Sequence, residues 1–430
     1  MAEHTGALIS TAQAAQRLGV KPATLYAYVS RGLLASIRGA DGRTSLFDPD
    51  EVDRLITRPR RGRTPRAAPF TIHTRLTDLR DGRLFYRGLD VGVLAGNEPF
   101  ESVARWLWTG VLDPTPVAAP APTVELAARL AGSLPRSART VDRIRTIIAG
   151  VAAVDALRAD LRPEAVAATA GVLLATIVDG LPSRFAPDLA AGAAGAAAAG
   201  DVPAGGEAAA AATAEPIAVR LWSKLAPAAP VAGSIEVLDG ALVLLADHDL
   251  AASTLAARIA ASTRAHPYAV VAAGLATLDG PLHGGASASI HRALTDAERE
   301  GSGVVLSRFL TEGRSLPGFG HLRYPAGDPR GRALLDQLAA TPPDGERWAL
   351  VAEFLAASAR GTPVPPNVDF ALAALSFTAG MDADAGEAVL AIARTAGWIA
   401  HALEEYTEEP RRFRPQAVYF GPDPAAPSRP

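Results

Sequence analysis

The chain of 430 residues contains no cysteine, which excludes disulfides, thiolate catalysis and cysteine-ligated metals. No basic start followed by an apolar run resembles a signal peptide, and uncharged runs such as 165–178 read as too short to span a bilayer. A cytoplasmic location with no membrane partner is the expectation. A glycine-rich phosphate loop with a following lysine is also missing, which argues against a nucleotide hydrolase. His248, His283 and His321 form no local His-x-x-x-His pair, so no metal site is expected.

Hydrophobic residues make up 49% of the chain and charged ones 20%, ample for two or three buried cores, so a small module attached to a larger one is expected. The net charge of -3 is divided unevenly. Residues 1–66 carry eleven Lys and Arg against six Asp and Glu, and the remainder thirty-one against thirty-nine. A basic first segment and an acidic body point to different partners.

In the basic segment, Ser10-Thr11-Ala12-Gln13 is a capping-box pattern, followed by an apolar helical face through Ala14, Ala15 and Leu18. A second helix is predicted from Lys21-Pro22-Ala23-Thr24 to Arg31-Gly32, a wing over Leu33–Phe47 with a turn at Ala40-Asp41-Gly42, and a third helix from Asp48-Pro49. This pattern resembles DNA-binding domains of the MerR and excisionase type. The resemblance implies that Lys21, Thr24, Tyr26 and Tyr28, with Arg38 and Arg43 in the wing, face DNA. A docking or oligomerisation role is the alternative, because a net charge of plus 5 is modest for a DNA reader. Residues 58–69, dense in Arg and Pro, read as an extended linker.

Beyond it, Asp81–Asp90 has the character of a short hairpin, and Phe100-Glu101-Ser102-Val103-Ala104 that of a helix start. Stretches such as 124–134, 141–157 and 235–261 carry helical spacing, so the large domain reads as mainly helical. The Ala and Gly run 190–212 is given no structure.

The chemistry-bearing segments follow in order: Ala246-Asp247-His248-Asp249, Gly280-Pro281-Leu282-His283-Gly284-Gly285-Ala286, Pro317-Gly318-Phe319-Gly320-His321, Asp328-Pro329-Arg330, Pro366-Asn367-Val368-Asp369, Ala393-Arg394-Thr395-Ala396-Gly397-Trp398 and Arg414-Pro415. Singly each has an ordinary reading: His283 as a cap in a turn, Asp369 as an N-cap, Arg394 and Arg414 as surface arginines. Together, over about residues 70–422, they resemble the citrate synthase family.

The resemblance implies an all-α fold with large (about 70–270 and 370–422) and small (about 271–369) helical subdomains, preceded by the winged helix-turn-helix of residues 1–57 and followed by a tail, 423–430. By the same match Asp369 takes the proton from an acetyl thioester, His283 bonds the thioester oxygen, and His321 donates to the ketone oxygen. Arg330, Arg394 and Arg414 bind the substrate carboxylates, the last across a dimer interface, and His248 is a further substrate-binding histidine; Arg323 substitutes for the basic residue usual at Pro325 in binding coenzyme A phosphates. Val368 and Phe370 beside Asp369 predict a raised proton affinity.

The chain departs from the family pattern at Ala251 and Ser287, where asparagines are usual, and at Ala371-Leu372-Ala373, Pro325 and Gln416. The implied activity is condensation of acetyl coenzyme A with oxaloacetate and water to give citrate and coenzyme A, in a homodimer or with a paralogous subunit. The coenzyme A thioester is a co-substrate, and no cofactor is held permanently. The alternatives are propionyl coenzyme A as donor, giving 2-methylcitrate, and a metabolite-sensing regulator that binds DNA.

Overall fold

The computed structural model describes residues 9–18, 20, 25, 28–29, 34–39, 44–49, 51–52, 72–184, 214–280, 283–361, 364–409 and 413. It divides into two compact units, Met1–His73 and Thr74–Pro430. Lys21, Thr24, Tyr26, Arg43, Arg414, the linker 58–69, the run 190–212 and the tail 423–430 lie outside the described residues.

In the first unit, the Ser10 backbone N–H donates to Gln13 Oε1 at 2.9 Å and the Gln13 N–H returns to Ser10 Oγ at 3.3 Å. This reciprocal box starts helix α1, Thr11–Leu18. Strands β1 (Ile9–Ser10), β2 (Ile37–Arg38) and β3 (Ser45–Phe47) form an antiparallel sheet in the order β1-β3-β2, with Ile9 opposite Phe47 and Ile37 opposite Leu46. Ala14, Ala15, Leu25, Leu34, Phe47 and Val52 make its core, and Tyr28 is half-buried against them.

The second unit opens with β4 (Thr77–Arg80), β5 (Arg83–Tyr86) and β6 (Leu89–Asp90), an antiparallel meander. Asp81 and Gly82, at φ 52° and 71°, form the two-residue turn whose twist suits a hairpin. The regular structure of the other described residues is helical: α2 Val91–Asn97, α3 Phe100–Thr109, α4 Ala121–Gly132, α5 Thr140–Val154, α6 Pro163–Gly180, α7 Ile217–Leu225, α8 Ser234–Leu245, α9 Ala252–Ser262, α10 Pro267–Leu278, α11 Ala286–Glu300, α12 Ser302–Thr311, α13 Pro329–Ala340, α14 Gly345–Gly361, α15 Val368–Thr378 and α16 Ala385–Thr407.

Helix α16 is the axis of this unit. Every residue from Ala385 to Leu403 is buried, and it packs against α3, α6, α8, α9, α10 and α15. A helix buried on all sides over this length is surrounded by protein, and its polar residues Arg394 and His401 are buried with the rest. Helix α6, at 18 residues, is long and apolar enough to cross a membrane by length and composition, contrary to the expectation for this stretch, and 56% of it is buried. Its inner face packs on α4 and α16, which accounts for its composition. Helices α11, α13 and α15 form a second packed group, with α14 against α11 and α15.

One predicted helical stretch is broken. Residues 235–261 form not one helix but α8 and α9, separated at Ala246–Ala251. Local propensity favours helix throughout, but the Asp247 N–H bonds Tyr86 Oη at 3.0 Å and Asp249 adopts φ 52°, so tertiary partners end the helix at Leu245.

Candidate active site

The His248 loop rests on a buried polar lattice. The Tyr86 hydroxyl donates to the Asp247 carbonyl at 2.7 Å, and the Asp247 carboxylate accepts from the Thr77 hydroxyl and from His401 Nε2 at 3.2 Å. Burial alone would raise the Asp247 pKa, but His401 and Arg394 outweigh it and hold the group below the usual carboxylate range. Behind it, Arg258, fully buried, bonds Glu405 and Glu404, each at 2.7 Å, and His401 Nδ1 at 2.8 Å. The Gly397 N–H donates to the Ala246 carbonyl at 3.0 Å; a Cβ at Gly397 would lie 2.4 Å from that oxygen, so only glycine lets α16 approach the loop.

From this base His248 meets two rings. Its Nε2 lies 2.9 Å from Tyr324 Oη, and its plane stands edge-on to His321 with centroids 5.2 Å apart.

His283 follows the turn closed by its own N–H to the Gly280 carbonyl at 2.8 Å, and its Nε2 lies 2.9 Å from Ser253 Oγ. Ser253 is fully buried in the first turn of α9 and has no other partner for its hydroxyl among the described residues. The hydroxyl therefore donates to Nε2, which leaves the His283 proton on Nδ1.

His321 is set by the backbone. The Arg323 N–H donates to its Nδ1 at 3.1 Å, so the neutral ring carries its proton on Nε2. All three histidines have lowered pKa values, first through burial and then through the charges of Arg394 or Arg330, so each is a neutral donor at pH 7.

His321 and Asp369 belong to one backbone unit. The Gly320 N–H donates to the Pro365 carbonyl at 2.8 Å and the Asn367 N–H to the Gly318 carbonyl at 2.9 Å, while Asn367 Nδ2 bonds the Gly320 carbonyl at 2.8 Å. Gly318, at φ 79°, lies where a Cβ would come within 2.2 Å of Ile290 Cδ1, so the turn requires glycine. Asn367, not Asp369, caps α15: its Oδ1 accepts from the Asp369 N–H at 3.0 Å. The Asp369 carboxyl is thus spared for chemistry. Burial pushes it up to about 6 against the opposing charges of Arg330 and Arg394.

Two buried arginines flank this carboxyl. Arg330 forms a bidentate pair with Asp328, Nε at 3.0 Å and a terminal nitrogen at 2.8 Å, and Asp328 also accepts from the Val368 N–H at 3.2 Å. One carboxylate therefore fixes both Arg330 and the start of the helix that carries Asp369. Burial alone would raise Asp328, but the Arg330 charge and bonds hold it below the usual range. Arg394, 2% exposed, donates from Nε to the Leu245 carbonyl at 2.8 Å; burial lowers its pKa, with Asp247 the largest opposing charge.

His248, His283 and His321 line one open cavity of about 890 Å³, with Asp249, Ala251 and Arg323 at its wall. The structure thus brings six sequence-predicted residues into one neighbourhood through shared contacts and charges: His248, His283, His321, Arg330, Asp369 and Arg394. Arg323 is tied to Asp249 at 2.5 Å at the cavity wall. Three neutral donors, a desolvated carboxyl and two buried cations can bind an anionic carbonyl compound, remove a proton beside a carbonyl and stabilise the oxyanions that result.

Comparison with known proteins accords with this chemistry. The family described as citrate synthase, C-terminal domain, matches residues 70–416. The chain belongs to the citrate synthase family. A helix-turn-helix domain family matches residues 8–60. Citrate synthase 2 of Bacillus subtilis is 37% identical over 195 residues, 44% of this chain and 52% of its own length. The chain spans about half the length of the curated relatives it matches.

Among solved structures, citrate synthase from Pyrobaculum aerophilum is 26% identical over 83% of this chain and 92% of its own, with a TM-score of 0.64. A ternary complex of the Thermoplasma acidophilum citrate synthase with carboxymethyl coenzyme A and oxaloacetate is 22% identical over 83% and 95%, with a TM-score of 0.63; that likeness is one of fold.

Against the citrate synthase family pattern, the departures have structural sites. Ala251 precedes α9 with no side-chain cap, and the Ser287 hydroxyl is buried with no partner among the described residues. Ser253, Asp328 and Asn367, and Tyr324 beside His248, were given no role from sequence. Asp328-Pro329 and Pro366-Asn367 are helix-start signals that could have found two of them; Ser253 and Tyr324 act across 30 and 76 residues and leave no local signal.

Proposed function

We propose that this chain condenses the acetyl group of acetyl coenzyme A with oxaloacetate and water, releasing citrate and coenzyme A. The observation that supports this reading most is the Asp369 carboxyl, raised to about 6 by burial, on the same backbone unit as a histidine whose proton is fixed on Nε2. Asp369 takes a proton from the methyl of the thioester, and His283 Nδ1–H supports the enolate oxygen. The enolate carbon attacks the keto carbon of oxaloacetate; His321 Nε2–H holds the alkoxide that forms. Arg330, Arg394 and His248 bind the carboxylates, and a water then hydrolyses the thioester.

The donor distinguishes the nearest alternative. Propionyl coenzyme A in place of acetyl gives 2-methylcitrate, and one methylene is worth only about 1–3 kcal/mol in an apolar pocket. A DNA-linked regulatory role is favoured by the helix-turn-helix match at residues 8–60. A homodimer, with Arg414 contributed from the second copy, completes the reading.

The test is release of free thiol from acetyl and propionyl coenzyme A, with and without oxaloacetate. Because the chain has no cysteine, the protein adds no thiol of its own. Oxaloacetate-dependent release supports the enzyme, and the ratio of donors assigns the substrate. No release from the folded full-length protein overturns the stand-alone activity, and salt-sensitive retention of a specific DNA then supports the regulator.

A further inference from the structure

Tyr324 is 3% exposed and sits among the site's other rings. Its ring centroid is 4.9 Å from that of His321 and 5.5 Å from that of His248, and the Arg330 guanidinium lies 5.7 Å over it. Its hydroxyl has one partner among the described residues, His248 Nε2 at 2.9 Å. A buried O–H that does not donate is costly, and Nε2 is the acceptor within reach.

We infer that Tyr324 is a positioning residue that donates its hydroxyl proton to His248 Nε2, fixing the His248 proton on Nδ1 and leaving that N–H as the group offered to a substrate carboxylate. The Nδ1 atom has no protein partner among the described residues, while His248 itself lines the cavity. Two further facts agree. The Tyr324 hydroxyl, pushed up to about 12 by burial, keeps its proton at all working pH values, and His248 is held neutral. The segment His321–Tyr324 then sets both donors: the Arg323 backbone N–H places the His321 proton on Nε2, and the Tyr324 hydroxyl places the His248 proton on Nδ1. Two imidazoles in one cavity offer opposite nitrogens.

The assignment of a carboxylate to His248 rests on the proposed condensation, but the tautomer does not. The test uses the full-length protein with ¹⁵N-labelled histidine, His248 being identified by the resonance pair lost in His248→Gln. In the wild type the His248 proton is expected on Nδ1; finding it on Nε2 overturns the inference without any variant. In Tyr324→Phe, which keeps the ring, the proton is expected to move to Nε2 in a substantial fraction of molecules.

Calorimetric titration with oxaloacetate alone is the second readout. Losing one aligned hydrogen bond to a charged group predicts about tenfold weaker binding, with kcat changed by less than about threefold because no reacting atom is touched. Unchanged ¹⁵N shifts and unchanged oxaloacetate affinity in a folded Tyr324→Phe protein sink the proposal. If the wild type shows the Nδ1 tautomer, and the variant loses it, but no thiol is released by either, the positioning role stands and the proposed condensation fails.

Discussion

His248 and His321 face one cavity with their rings 5.2 Å apart, yet different physics holds each in place. The His248 side stands on buried charges: Asp247 against His401 and Thr77, and Arg258 against Glu405 and the half-buried Glu404. The His321 side stands on backbone pairing between residues 318–320 and 365–367, with the Asp328 carboxylate tying Arg330 to the start of α15. Desolvated charges are expensive to break, because the survivor is left unpaired. The first wall is held mainly by buried charge and the second mainly by backbone pairing, with the Arg330–Asp328 pair at its edge.

The largest expected effect falls on the second wall and on rate. Asp369→Asn should lower the rate of coenzyme A release by about 10²–10⁴, the usual range for removing a positioned general base. The wild-type rate should rise with pH through about 6, where Asp369 ionises. The sign for stability is opposite. A carboxyl raised from 3.8 to about 6 on folding costs stability once the unfolded chain has lost its proton, progressively between those values and fully above the higher one. The variant should therefore melt about 2 °C or more above the wild type at pH 8, the gain fading toward pH 4. A variant no more stable at pH 8 would show that the carboxyl is not desolvated.

Next in size is a loss of stability on the first wall. Arg258→Ala leaves Glu405 buried without its cation, and should destabilise by about 3–5 kcal/mol in denaturant unfolding. A cost below about 1 kcal/mol would remove the contrast between the two walls. The smallest effect expected is that of Asn367→Ala, which removes the cap of α15 and the bond to the Gly320 carbonyl. About 1–2 kcal/mol of stability should be lost, together with a fall in kcat as Asp369 and His321 lose their common support. A fall in stability with kcat intact would make Asn367 a cap alone.

Much of this site was legible in the chain. The ordered histidine, arginine and aspartate segments identified the family, and Val368 and Phe370 beside Asp369 gave the direction of its proton affinity, because neighbours in sequence on a helix start remain neighbours in space. The Asp81-Gly82 turn and the Ser10-Gln13 box were likewise local. Asp369 as a cap was the natural local reading, and Asn367 takes that place because its side chain reaches back over the first turn.

What the sequence by itself determined is the set of elements and the inventory of the site: helices from periodicity, turns from glycine with positive φ, and reactive side chains from type and order. The tertiary structure alone decided where the stretch 235–261 breaks, which buried acid faces Arg258, and which hydroxyls meet His248 and His283. Those choices join residues from 30 to more than 140 positions apart. No local propensity encodes such a pairing, because the free energy of a buried hydrogen bond or ion pair depends on the packing that removes water from both partners at once.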